Sequence, residues 1–190
     1  MNILILAGSA RPKGTSSLLV KEFRRGAMEM GAAVEVFSAG TAMVHGCTGC
    51  GHCAHGKNAC IFQDDMQALY PKFLAADLIV IATPVYNWGI TAQLKMVFDR
   101  WQPVVLSIRE RKKAILLTTQ AGRDAWITEP VEAWYKALLR FMEWESAGRL
   151  AAVGVMERAD IEATDYPAQA YALGRQVCAE LTSTSDSVCC

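Results

Sequence analysis

The chain has 190 residues, of which 52% are hydrophobic and 20% charged, enough for one domain with a real core and too apolar for a disordered chain. Its 19 Lys and Arg balance 19 Asp and Glu, so the formal net charge is zero and a broadly basic nucleic-acid or lipid surface is not expected. No apolar run reaches the ~20 residues that span a bilayer, and the apolar start Met1–Ala7 lacks a basic n-region, so the expected location is the cytoplasm.

Short apolar runs alternate with helical periodicity along the chain. Asn2–Ala7 (NILILA) reads as a central strand covered on both faces and stopped by Gly8. Thr15 can cap a helix whose apolar face is Leu19, Phe23, Ala27 and Met30, closed by Gly31. Val34–Phe37 is a second short strand. Residues 38–62 then break the rhythm with Gly, Cys and His.

Asp64 or Asp65 can cap the next helix, with Met66, Leu69, Tyr70, Phe73 and Leu74 on one face and a kink expected at Pro71. Leu78–Ala82 is a third strand, stopped at Thr83-Pro84. Leu94, Val97, Phe98 and Trp101 mark a helix that ends before Pro103. Ala114–Thr119 is a fourth strand. Pro130 suits a first helical turn, Val131, Trp134, Tyr135, Leu138, Leu139 and Met142 form the stripe, and Gly148 can close it. Leu150–Met156 reads as the fifth strand. A last helix carries Ala170, Leu173, Val177, Cys178 and Leu181.

Five strands alternating with five helices predict a doubly wound α/β fold, a parallel sheet with helices on both faces. We expect one domain over 1–182, with a Cys/His-rich insertion loop at 45–62 and a flexible tail at 183–190. Ligands in such sheets bind beyond the C-terminal strand ends, where the strand order reverses. The loops after strands one, three and four therefore carry the expected chemistry.

The first of these, Gly8 to Ser17 (GSARPKGTSS), joins a buried strand to a helix start. Backbone N–H groups at a helix N-terminus bind anions. The hydroxyls of Ser9, Thr15, Ser16 and Ser17 add donors, and Arg11 can pair with a phosphate. Five residues separate Gly8 from Gly14 and Thr15 stands where a triphosphate loop needs Lys, so that motif is excluded. The Gly-x-Gly-x-x-Gly dinucleotide fingerprint is absent as well. What remains suits a monophosphate held by hydrogen bonds, or a plain connector.

Several short motifs fall in order along residues 1–120. They are Gly8-Ser9-x-Arg11 with Gly14-Thr15-Ser16, Asp64-Asp65-Met66, Ala76-Asp77, Thr83-Pro84-Val85-Tyr86 and Lys95-x-x-x-Asp99-Arg100. In these the chain resembles the NAD(P)H-dependent FMN reductase and iron-sulfur flavoprotein group of the flavodoxin-like fold. The resemblance implies sheet order 2-1-3-4-5 and FMN at the switch point. It implies that Ser9, Arg11, Lys13, Thr15 and Ser16 hold the FMN phosphate. It places Pro84, Val85, Tyr86, Asn87 and Trp88 along the isoalloxazine and ribityl chain, and Thr119, Gln120 and Gly122 at the pyrimidine side. Many relatives carry Trp directly after Pro-Val-Tyr; here Asn87 intervenes and Trp88 follows, which leaves open which of those two side chains faces the ring.

The implied activity is NAD(P)H reduction of bound FMN, followed by electron passage to a small-molecule acceptor such as a quinone, azo or nitro compound. Homodimers or homotetramers are implied too. Hydride transfer to a flavin needs no general acid or base, so no catalytic residue is expected. Asp99-Arg100 reads as a helix anchor or a subunit contact, not as a catalytic pair. A non-enzymatic interaction module on the same scaffold is the contrasting reading, since fold does not set function.

Seven cysteines remain to be placed. Cys47, Cys50, Cys53 and Cys60 form C-x2-C-x2-C-x6-C, close to the ferredoxin run C-x2-C-x2-C-x3-C-P but with a longer last gap and no Pro. Iron-sulfur flavoproteins carry a similar compact run before Asp-Asp-Met. A four-iron four-sulfur cluster that exchanges electrons with FMN and a ferredoxin is one reading. Packed thiols without a metal are another. Zinc is a third, since His45, His52 and His55 fall in the same segment. Cys178 reads as a small core hydrophobe, and Cys189 and Cys190 as an idle tail.

Overall fold

Strand β1 (Asn2–Ala7) buries Ile3 to Leu6 completely, because every one of those side chains is apolar and both faces of the strand are covered. In the computed structural model, residues 1–54, 59–110 and 112–186 are described. After β1 come α1 (Thr15–Glu29), β2 (Ala33–Phe37), α2 (Met66–Ala75), β3 (Leu78–Pro84) and α3 (Ala92–Asp99). Then follow α4 (Val105–Ile108), β4 (Lys113–Thr119), α5 (Glu129–Met142), β5 (Glu145–Ala152), α6 (Arg158–Glu162) and α7 (Tyr166–Asp186). The five strands form one parallel sheet in the order β2-β1-β3-β4-β5. This is the flavodoxin-like order 2-1-3-4-5, with the reversal between β1 and β3.

The period-two alternation of the strands sorts side chains into two cores. Leu4, Leu6, Ile79 and Ile81 meet α2, α3 and α5 through Phe73, Leu94, Phe98, Tyr135 and Met142. Ile3, Ile5, Leu78 and Val80 face the other way and meet α1, α6 and α7 through Phe23, Ile161, Ala170 and Val177. Cys178 is buried in this second core, as a small hydrophobe should be. Among the described residues, no helix is long and apolar enough to cross a membrane.

Helices α1 and α7 pack with almost no gap. A Cβ at Gly26 would stand 2.1 Å from the Tyr171 carbonyl oxygen, and one at Gly174 would stand 2.2 Å from that of Phe23. Gly26→Ala should therefore destabilise the fold by about 1–3 kcal/mol, the usual cost of overpacking. That exceeds the ~1 kcal/mol of helix propensity the change gains. A urea titration with an unchanged midpoint would refute the close approach.

The structure moves several expected boundaries. Gly14, not Thr15, is the N-cap of α1, which turns the Thr15 hydroxyl inward. Gly31 follows the end of α1 with φ 82, as expected of a closing glycine. Helix α3 ends at Asp99, so Trp101 packs from the loop beyond it, edge-on to Phe98 and Phe73. Helix α5 closes on Glu143 at φ 53, and Gly148 instead lies inside β5 beside its register shift.

Strand β5 is Glu145–Ala152 rather than Leu150–Met156. It is an edge strand, half-exposed, so Glu145, Ser146 and Arg149 are tolerated where an apolar run was sought. The short helices α4 and α6 were not expected. Helix α7 continues to Asp186, past the expected start of the tail. Cys189, Cys190 and His55 lie outside the described residues.

Candidate functional site

One cavity of about 780 Å³ opens at the C-terminal end of the sheet, over the β1/β3 reversal. Its floor is the loop from Ser9 to Ser16, its wall is Pro84 to Tyr86, and Thr119 to Ala121 close a third side. Of the thirteen cofactor residues read from the sequence, Ser9, Arg11, Lys13, Thr15, Ser16, Pro84, Val85, Tyr86, Thr119 and Gln120 line it. Asn87, Trp88 and Gly122 do not.

The floor is held from below. The Gly8 N–H donates to Ala82, the Thr91 hydroxyl donates to the Gly8 carbonyl, and the Gly40 N–H donates to Ala7. These bonds extend the ladder past the strand ends and fix where the loop begins. The Ser9 hydroxyl accepts from the Arg11 N–H, and the Ser17 hydroxyl donates to the Arg11 carbonyl. The loop is thus a turn closed by its own hydroxyls. The N–H groups of Thr15, Ser16 and Ser17 begin α1 and have no intrahelical acceptor, so they form the anion-binding end.

Thr119 joins the three walls. The Thr15 hydroxyl donates to its hydroxyl at 3.1 Å, and Ser16 shares a 2.7 Å bond with it. Its carbonyl accepts the Val85 N–H at 2.8 Å. All three hydroxyls are buried. Thr15 and Ser16 therefore brace the cavity from within, and the first-turn N–H groups are the donors left for an anion.

The β3 wall ends in a two-residue turn. Tyr86 and Gly89 exchange both backbone hydrogen bonds, and Asn87 and Trp88 between them have φ 46 and 60. Positive φ at both central positions is the hairpin geometry that Asn favours and a bulky residue resists. It throws Trp88 away from the cavity, where it stacks on Trp126 at 6.2 Å between ring centroids. Tyr86 is thus the aromatic side chain on the cavity wall, and neither Asn87 nor Trp88 lines the cavity. The Val85 and Tyr86 N–H groups are spent on Thr119 and Gly89, and those of Asn87 and Trp88 are the turn's unspent donors.

The third loop is fastened by Gln120. Its side-chain amide donates to the carbonyls of Gly122 and Asp124, and its oxygen accepts from the Thr128 hydroxyl. Gly122 packs under Ile127, where a Cβ would come within 2.3 Å of Cδ1, so it shapes the loop from behind.

A fourth wall was missed from the sequence. Val155, Met156, Glu157 and Arg158, after β5, also line the cavity. Placing β5 too late absorbed them into a strand. The signal that marks them is Asp160, whose carboxylate accepts from the Met156 and Glu157 N–H groups at the start of α6. Those two bonds hold the Asp160 carboxyl below its usual range. Glu157 reaches across to Arg11, with 3.7 Å between the charged atoms, both side chains exposed. Arg11, Lys13 and Arg158 against Glu157 leave the cavity rim net positive.

The cysteine segment forms a second, separate feature. Cys47, Cys50, Cys53 and Cys60 line one small cavity of about 30 Å³, together with Phe62 and Arg100. None is in a disulfide. The Gly49 N–H donates to the Cys47 sulfur at 3.4 Å, with Gly49 at φ 67. Among the described residues, no three His, Cys, Asp or Glu side chains converge on one metal-ion position.

Asp64, Asp65 and Arg100 build this segment. The Asp65 carboxylate accepts from Met43 and that of Asp64 from His45 and Met66. Arg100 donates to both oxygens of Asp64 at 2.9 and 3.1 Å and to the His45 carbonyl at 2.7 Å. The pair is sealed, at 1% and 6% side-chain exposure. Burial pushes the Asp64 carboxyl up, but Arg100 and the two N–H donors outweigh it and hold the group below its usual range. Asp99 makes only a surface pair with Lys95. Arg100 is therefore the anchor that the sequence suggested, and its partner is Asp64. Tyr70 donates to the Arg100 carbonyl, and burial, with Cys60 next to it, pushes its phenol up to about 12.

Several known proteins resemble this chain in sequence or in fold. An iron-sulfur flavoprotein of Methanocaldococcus jannaschii is 34% identical over 113 residues, 60% of this chain and 58% of its own length. An FMN-dependent NADH:quinone oxidoreductase of Pseudomonas savastanoi is 32% identical over 87 residues, 40% of this chain and 42% of its own. The chain spans between 52% and 60% of the length of the first three curated relatives. The solved NAD(P)H:quinone oxidoreductase of Methanothermobacter marburgensis shares the fold, with TM-score 0.76, 16% identity and coverage of 93% of this chain and 96% of that one. A sequence model described as NADPH-dependent FMN reductase matches residues 1–142. That stretch holds β1 through α5 and every loop of the cavity but the last, and the chain belongs to the NADPH-dependent FMN reductase family.

Proposed function

We propose that the chain is an FMN-dependent oxidoreductase that takes electrons from NAD(P)H and passes them to a small-molecule acceptor. The observation that carries this is the cavity at the β1/β3 reversal, with an anion-binding end and an aromatic wall. At about 780 Å³ it falls within the usual range for cofactor-sized ligands. The fit rests on the free N–H groups of Thr15, Ser16 and Ser17 and on a net positive rim. FMN supplies, when bound, the reversible acceptance of a hydride and of single electrons.

The chain's own part is to bind and orient. The first turn of α1 and Arg11 hold the phosphate. Thr119 keeps the phosphate loop and the Tyr86 wall at a set separation. Tyr86 covers the ring system, and the unspent N–H groups of Asn87 and Trp88 are donors for its polar edge.

Arg11→Ala should weaken FMN binding by about 1.5 kcal/mol, the low end for a hydrogen bond to a charged group, because Arg11 is solvent-exposed. A flavin fluorescence titration checks it, and unchanged affinity removes Arg11 from the phosphate site.

A second reading is an iron-sulfur flavoprotein that draws electrons from a ferredoxin. It is favoured by the four thiols of Cys47, Cys50, Cys53 and Cys60 around one cavity. The donor set suits a cluster in kind: four sulfurs, an N–H to sulfur bond from Gly49, and a buried cation beside Cys60. The cavity has room for about one water, so a cluster would part its half-exposed loop wall. Zinc would need ligands about 2.3 Å from one point, and the described residues offer no such point. Anaerobic purification with iron, sulfide and FMN assays separates the readings. FMN without iron leaves the first; FMN with about four irons and four sulfides per chain establishes the second.

A further inference from the structure

One ion pair joins the floor loop of the large cavity to its fourth wall. Glu157, on the loop after β5, stands 3.7 Å from Arg11 on the loop after β1, and both residues line the cavity. Among the described residues, each is the other's one opposite charge within ion-pair reach. Arg158, the cation next to Glu157, is tied to Glu162 instead. Glu157 also lies beyond residue 142, where the family match ends.

Both ends of the pair stand on fastened backbone. The Arg11 N–H donates to the Ser9 hydroxyl, and the Arg11 carbonyl accepts from Gly14 and Ser17. The Glu157 N–H donates to the Asp160 carboxylate at 2.7 Å. The chain just before it is laced to the third loop, Gly154 to Gly122 and Val155 to Gln120. The span between the two loops is therefore set, and only the two exposed side chains are free to change partner.

We propose that Glu157 competes with the flavin phosphate for Arg11, and so holds the affinity for FMN below what the donors of the site would give alone. This rests on the FMN reading above, which assigns the same guanidinium to the phosphate. A phosphate monoester carries a charge of about −1.5 to −2 at neutral pH. A carboxylate beside its cation both draws that cation off and repels the incoming anion. The effect is modest, because an exposed ion pair is screened by water and salt. Glu157 thus tempers a net positive rim without closing it. Riboflavin has no phosphate, so Glu157 acts on FMN and leaves riboflavin alone.

The test titrates the full-length protein, freed of flavin, with FMN and with riboflavin by flavin fluorescence. Wild type, Glu157→Gln, Arg11→Ala and the double variant are compared. Gln keeps the length and an accepting oxygen at the N-cap of α6 while removing the charge. Glu157→Gln should bind FMN about 3- to 5-fold more tightly than wild type at about 0.01 M salt. The gain should fade at about 1 M salt, where the screening length drops from about 30 to about 3 Å. It should shrink when Arg11 is already Ala, since the cation in dispute is gone. Riboflavin affinity should not move, which shows the cavity intact.

FMN binding that is unchanged or weaker in Glu157→Gln, with riboflavin unchanged, overturns the competition and leaves the FMN reading standing. An equal gain with and without Arg11 also overturns it, and reduces Glu157 to a repelling charge. A parallel change in riboflavin affinity overturns it as well, because the substitution then acts on the shape of the cavity. A wild-type chain that does not bind FMN overturns the FMN reading and this inference together.

Discussion

Arg100→Met should lower the stability of the fold by about 3–5 kcal/mol, because it strands Asp64 as a lone buried carboxylate. The loss is not confined to one ion pair. The His45 carbonyl and the face of Phe62 lose their cation as well. Adding Asp64→Asn to Arg100→Met should recover much of the loss, since the remaining cost is then hydrogen bonding rather than charge. Urea denaturation of the single and double variants measures both quantities. Near-equal midpoints for wild type and Arg100→Met would mean the site opens to water.

The same pair sets an acid limit. The folded carboxyl of Asp64 lies below its ordinary value of 3.8. A group depressed in the folded state contributes stability that is complete above its unfolded pKa and is lost as the pH falls through the folded one. Stability from this pair should therefore be level through neutral pH and decline below about pH 4. Asp64→Asn should flatten that decline.

Gly40→Ala should weaken FMN binding roughly 10- to 100-fold, equivalent to losing about one charge-assisted hydrogen bond. A Cβ on residue 40 would stand 2.2 Å from the carbonyl carbon and oxygen of Ser9 and 2.5 Å from the Ala10 nitrogen. Those are backbone atoms of the phosphate loop and cannot rotate aside. The loop must shift, and its N–H groups shift with it. Gly49→Ala is not equivalent, because residue 49 has open space around it and a positive φ instead. Flavin titration of Gly40→Ala checks the effect, and wild-type affinity would show that the loop does not set the phosphate geometry.

The loop on the cavity floor was readable because its chemistry is local. A strand end, a run of hydroxyls and a helix start are adjacent in the chain, so Ser9, Arg11, Thr15 and Ser16 could be named together, and all four line the cavity. The Tyr86 wall was readable for the same reason. The fourth wall was not, because β5 is an edge strand whose exposed face carries no apolar run. The role of Thr119 was equally hidden: Thr15 and Thr119 meet only because α1 begins above the end of β4. Trp88 was placed on the flavin by its position after Tyr86, but a turn with two positive φ values reverses its direction.

By itself the sequence determined the alternation of strands and helices, the two-faced burial of β1 and β3, and the positions of the cavity-floor loop and the cysteine run. Those follow from periodicity and from neighbouring residues, which act within a turn or a strand. The tertiary structure decided what distance in the chain conceals. It paired Arg100 with Asp64, 36 residues away, across two helices and a strand. It set Glu157 opposite Arg11, and it brought Arg100 and the four cysteines of the run to the lining of a single cavity. Such contacts depend on which strand ends lie side by side, and that order is settled only when the parallel sheet closes its long crossovers.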